Sequence, residues 1–489
     1  MTRLVVLPHG DPTIAVGGDE ALDVERTFCG HTVARLGLAG GSALAPRDAL
    51  ALAAARSLLG RTGTSVHARL RAVGALLAAR SAGTAVHLRV DDVELAQGTT
   101  EKTADLAAAA EGAAPWAEEL ATAAEALGGE DVVRLWIDRD QTLIAAATLA
   151  ARLPARVAIE LAGPFADKHA TALATIPAFA RARFVRDAAA PTWTIAGFPG
   201  VTDGDGPGVE WRRHLPRPPA GARAWAGTIH AEELKTPDAL LASGCKVAAV
   251  AFATWDADGL LARSGDRYAA ADMIAAARTL ADGGCALVGE LWLGAPGIGE
   301  AAVDATLAYL EAERPCAWMA GFRGYSWDVA EAPRAWDGRV ISVGEPEPGR
   351  DLARTRPFTA EGTITAARLG AIAPALLAKL AKLGGPVAGN CGQAIATRPP
   401  APPTTPRLDE DCAIVELAVG LDGKPGPAWT ATNLRTGTTL ALDARLAPRL
   451  AALAKGGSVD EALAPVPAEK RAGFAKALAS KGVLAGVGA

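Results

Sequence analysis

Close-set cysteines are missing from this chain. Its six, Cys29, Cys245, Cys285, Cys316, Cys391 and Cys412, are scattered over 489 residues with no C-x-x-C or similar spacing. They read as reduced, mostly buried thiols. The seven histidines form no H-x-x-H or H-E-x-x-H pair, so no local metal site is written in the sequence. No apolar run reaches the roughly 18 to 20 residues of a membrane-spanning helix. Net charge is only -5, with both signs interspersed, which leaves no field to attract nucleic acid or an anionic membrane. The start, "MTRLVVLPHGDP", stops its short apolar run at His9, Gly10 and Asp11 and reads as a first strand rather than a signal peptide. The expected compartment is the cytoplasm. Aromatics make up 5% of the chain, yet eleven of them are tryptophans.

What is there is an α/β rhythm. After "RLVVLP" comes a long Ala/Leu/Arg-rich stretch, "APRDALALAAARSLLG" to "VHARLRAVGALLAARS", apolar at helical spacing, and then an alternating strand, "TAVHLRV". From "DVVRLWID" through "RDQTLIAAATLAARL", "ARVAIELAGP" and "ADKHATALATIPAFARARFVRD", strand and helix alternate as in a doubly wound sheet. Residues 1–187 are therefore expected to form a Rossmann-like domain. Residues 188–223, dense in Gly, Pro and Asp, read as a linker or a long irregular loop. Residues 224–397 supply further βα units and are expected to form a partial TIM-type barrel. "RPPAPPTTPR" lies in a stiff Pro-rich linker, 398–409, and 410–489 reads as a small α+β, winged-helix-like domain of strands followed by helices.

Several stretches carry a family resemblance. "LLASGCKVAAVAFATWDADGLL", "DMIAAARTLADGGCALVGELWLGAPG" and "GEAAVDATLAYLE" follow one another as the strands, loops and helices of a radical S-adenosylmethionine (SAM) barrel do. Asp131 to Leu135, Gln141 to Ala151 and Val157 to Pro164 resemble the cobalamin-binding domain that precedes such barrels, and the tail resembles PqqD-like peptide-recognition domains. The order is similar to that of cobalamin-type radical SAM proteins of ribosomal-peptide maturation. The resemblance implies cobalamin as a cofactor and a precursor peptide and a partner maturation enzyme as partners. The chain departs from the family where the chemistry sits. It has no C-x-x-x-C-x-x-C run to hold an iron–sulfur cluster, and Thr254 stands where a Glu is expected. Too few residues separate Asp187 from Trp225 for the first barrel strands and a cluster loop. The D-x-H-x-x-G motif of base-off cobalamin binding is also absent.

Individual residues allow two readings each. His230 and Glu233, just beyond a predicted strand, can transfer protons or merely start a helix; Asp256, at a comparable strand end, has the same two readings. Gly163 and Pro164 can approach a cofactor's tail or make a packing turn. Gly294 and Gly297, in "GAPGIGE", can cradle an anion or shape a turn, without being a triphosphate-binding loop. Trp225, Trp255, Trp292 and Trp327, with Arg323, suit a peptide groove if they line a barrel mouth and core packing if they do not. Two functions follow. One is a cluster-free pseudoenzyme that binds a peptide or a partner enzyme. The other is an enzyme that reuses the barrel for non-radical, cobalamin- or metal-dependent chemistry at the His230/Glu233 region. The retained scaffold with missing ligands favours the first.

Overall fold

The computed structural model describes residues 2–8, 14–16, 21–34, 46–59, 61, 64–90, 92–195, 209–212, 224–332, 335–339, 341–383, 405–419 and 425–487. The protein is a mixed α/β structure with two largely parallel sheets. Five parallel strands form the first sheet, in the order Ala21–Asp23, Thr2–Val6, Val132–Trp136, Ala158–Ala162, Ala182–Val185. In chain order this is 2-1-3-4-5, a doubly wound arrangement whose strand order reverses between Thr2–Val6 and Val132–Trp136. One face, with Val5, Val133, Leu135, Ile159 and Leu161, is packed under the helices, and the other carries Arg134, paired with Glu160 at 2.7 Å. The helix Leu143–Arg152 is buried from Leu143 through Ala150, its alanines letting it lie close on the sheet.

Between the second and third strands of this sheet the chain inserts several helices, and two of them also build a separate core, Val66–Ser81 keeping Val73 and Leu77 in the first. Pro46–Leu59 and Val66–Ser81 pack on the antiparallel sheet Cys412–Val419, Pro425–Asn433, Thr438–Leu442. Leu50, Leu58 and Leu76 meet Ala413, Val415 and Leu417 there. Arg61 Nη1 donates to Cys412 O at 2.8 Å and Ser65 N to Asp411 Oδ1 at 2.7 Å. The opposite face of that sheet carries the helices Ala447–Ala452 and Ala468–Ser480. The C-terminal strands thus share a core with a helical pair from the first segment.

The second sheet runs Trp318–Gly324, Ala286–Leu293, Cys245–Asp256, Trp225–Ile229, Glu210–Arg212 in parallel, and Trp193–Ile195 and Ile14–Val16 extend it antiparallel. Two of these strands lie inside the Gly/Pro-rich stretch expected to be a linker or loop. Local composition hides them because each is only three residues long. Among the described residues the two outermost strands do not pair, so the sheet is open rather than closed into a barrel. The helices Pro237–Ala242, Ala270–Asp282, Glu300–Glu313 and Ala366–Lys382 cover one face. No helix among the described residues is long and apolar enough to cross a membrane.

Candidate functional site

Alternation decides what the second sheet shows on each face. In Ala286–Leu293, Leu287, Leu291 and Leu293 are buried in the core built with the covering helices. Val288, Glu290 and Trp292 point the other way. On that second face a small apolar floor forms from Trp211, Ala226, Val247, Ala249 and Val288. Exposure rises toward the carboxyl ends of the strands: Ala251, Glu290 and Trp292 are half-buried, and Thr228 and Arg323 are exposed.

Charge and aromatic surface meet at this rim. Register places Trp292 opposite Arg323 on adjacent strands. The Glu290 carboxylate accepts from Trp292 Nε1 at 3.1 Å and from Arg323 Nε. Arg263, beyond the hairpin strand Gly259–Ala262, lays its guanidinium 4.6 Å from the centre of the Trp292 ring and 5.9 Å from that of Tyr325. Glu331 sits 3.4 Å from Arg263 Nη1. Tyr325 is edge-on to Trp292, Trp336 and Phe358, which fixes the ring against which Arg263 lies. Gly265 is needed behind it, since a Cβ there would stand 2.5 Å from the Trp336 ring. The result is two guanidiniums and two flat rings with two carboxylates, Glu290 on Arg323 and Glu331 beside Arg263. Such a rim can hold a carbonyl or carboxylate on the arginines and a side chain on the rings.

The expected residues fall into different places. Trp292 and Arg323 meet at the rim. Trp225 faces the helix layer and donates to Ser243 Oγ at 3.1 Å; Trp255 is fully buried edge-on to Phe252; Trp327 is fully buried and donates to Glu331 O at 3.2 Å. These three pack the core. His230 caps the short turn Ala231–Lys235, and Glu233 accepts from His230 N at 2.9 Å, so the acid closes the turn. Asp256 accepts from Asp258 N at 2.9 Å and holds the tight turn to Gly259.

Gly294 and Gly297 lie in a turn filled by the chain itself. Gly297 N donates to Thr363 Oγ1 at 2.8 Å, and Gly297 O accepts from Arg339 Nη1 at 2.9 Å. Gly163 has a φ of +109°, and a Cβ there would lie 2.6 Å from Ile137 O; Pro164 opens the following helix. Glu290, Arg263 and Tyr325 were not singled out from sequence. Only Glu290 carried a signal, its same-face spacing from Trp292.

The resemblance would place cobalamin at the carboxyl edge of the first sheet. Leu7, Ile137, Asp140 and Gly163, at the carboxyl ends of the first sheet, are buried, and Asp140 is held by Arg354 at 3.1 Å. The five described cysteines are unpaired and sit in separate places, Cys29, Cys245 with Cys285, Cys316, and Cys412. Cys391 lies outside the described residues. Among the described residues no three His, Cys, Asp or Glu side chains are grouped to hold a metal ion.

Comparison with known proteins gives little. No family model matches the chain, and no curated protein matches it. Among solved structures it is similar to the radical S-adenosylmethionine methyltransferase TsrM from Kitasatospora setae. One such structure holds its tryptophan substrate and a SAM analogue, at 15% identity over 33% of this chain and 36% of that one. Another holds cobalamin and a [4Fe-4S] cluster, at 14% identity over 32% and 36%. The match spans about a third of that enzyme's length. At a TM-score of 0.21 in both cases, the likeness does not establish a common fold.

Proposed function

We propose that this protein is a binding protein, a cluster-free radical-SAM-like pseudoenzyme that takes a peptide segment in peptide natural-product maturation. The observation that carries the reading is the rim of Glu290, Arg323, Trp292, Arg263 and Tyr325 above an apolar floor. Arginine donors suit peptide carbonyls or an acidic side chain, and indole and phenol faces suit an apolar or aromatic one. The C-terminal sheet supports the reading from a second side. Thr438–Leu442 pairs with only one neighbour among the described strands, leaving an edge to which an extended peptide can add. The absence of a C-x-x-x-C-x-x-C run from the sequence supports the pseudoenzyme part.

The test is selection of a random peptide library on the full chain, followed by calorimetry on the enriched peptide. Trp292→Ala and Arg323→Ala are each expected to weaken binding about tenfold or more, the size of an interface hot spot. Affinity unchanged in both variants would rule out the rim as the site.

A further inference from the structure

Sheets of the 2-1-3-4-5 order take their ligands in the crevice outside the carboxyl ends of their strands. In this chain that edge is covered in part by residues from far along the sequence. Leu352 is fully buried within the core of the first sheet, although it follows the second sheet in the chain. Leu352 N donates to Glu101 O at 3.0 Å, and Arg350 Nη1 donates to Glu101 Oε2 at 2.6 Å. Arg354 Nη1 lies 3.1 Å from Oδ1 of the fully buried Asp140, whose other oxygen accepts from Thr100 Oγ1 at 2.6 Å.

Asp351 adds the most specific contact. The helix Thr103–Glu111 begins at Lys102, which supplies no side-chain cap. Its missing cap comes from Asp351, whose Oδ1 accepts from Thr103 N at 2.9 Å and whose Oδ2 accepts from Thr103 Oγ1 at 2.5 Å. A carboxylate at a helix N-terminus is what an anionic ligand would place there. We propose that residues 350–354 are an internal ligand of the first sheet. Asp351 stands in for the anionic group, Leu352 fills the apolar part of the crevice, and Arg350 and Arg354 neutralise the acids around it.

This assignment goes beyond the peptide rim and uses none of its residues, so either can fail alone. Hydrogen exchange on the full chain tests it, comparing wild type with Asp351→Ala and with Leu352→Ala/Arg354→Gln, and using hydroxocobalamin as probe. Amides of 100–106 and 350–354 are expected to be protected in wild type and to speed up together about tenfold or more in both variants, with Ala158–Ala162 unchanged. The proposal is overturned if the variants leave exchange at 100–106 unaltered. It is equally overturned if wild type retains stoichiometric hydroxocobalamin through gel filtration while 350–354 stay protected.

Discussion

Asp23 closes the strand Ala21–Asp23 and caps the helix after it, its Oδ1 accepting from Arg26 N at 2.9 Å while Oδ2 is buried with no hydrogen-bond partner among the described residues. Burial raises its carboxyl to about 6, against a smaller opposing effect of the hydrogen bond from Arg26. A raised acid favours the protonated folded state. Its contribution is therefore full below about pH 4, is lost as pH rises from about 4 to 6, and is flat above. Asn caps equally well, so Asp23→Asn is expected to stabilise the protein at pH 8 by about 1–3 kcal/mol and to flatten that part of a denaturant-midpoint profile. Gly163→Ala is expected to cost about 1–3 kcal/mol in urea unfolding, since its φ is positive and Ile137 O blocks a Cβ. At this scale the sequence is ambiguous for a physical reason. A His followed by an acid three residues on spells a capping turn as well as a proton relay, and only the hydrogen bond from His230 N to Glu233 separates them.

The elements were legible where a pattern repeats over several residues. The apolar periodicity of 46–81 gives helices, and the structure has them at Pro46–Leu59 and Val66–Ser81. Periodicity does not say against what a stripe packs, and the partner strand Cys412–Val419 lies more than three hundred residues away. Leu58 is fully buried in that shared core. Leu58→Ala is expected to cost about 2–5 kcal/mol by chemical denaturation and to loosen amide protection in Cys412–Val419, whereas a loss confined to the first sheet would contradict the shared core. The same limit explains the missed rim residues. Alternation puts Glu290 beside Trp292, but nothing in the sequence gives the register that brings Arg323 and the hairpin's Arg263 to them.

Over the whole molecule, the carboxyl edges of the two sheets approach each other. Lys168, in the helix after the fourth strand of the first sheet, pairs with Asp328 at 2.8 Å, just beyond the second sheet's Trp318–Gly324 strand. Residues 350–354 reach across from the same side. An α/β scaffold was readable from the strand–helix rhythm, while its openness and the crossing segment depend on long-range contacts that no local pattern encodes. The proposed function puts a peptide at the rim of the second sheet, and the proposed internal ligand fills the edge of the first from within. The most direct test is hydrogen exchange of the full chain with and without a peptide enriched by selection. New protection is expected in Glu290–Leu293 and Phe322–Tyr325, and Arg323→Ala should abolish it. Protection elsewhere with these strands unchanged would contradict binding at the rim.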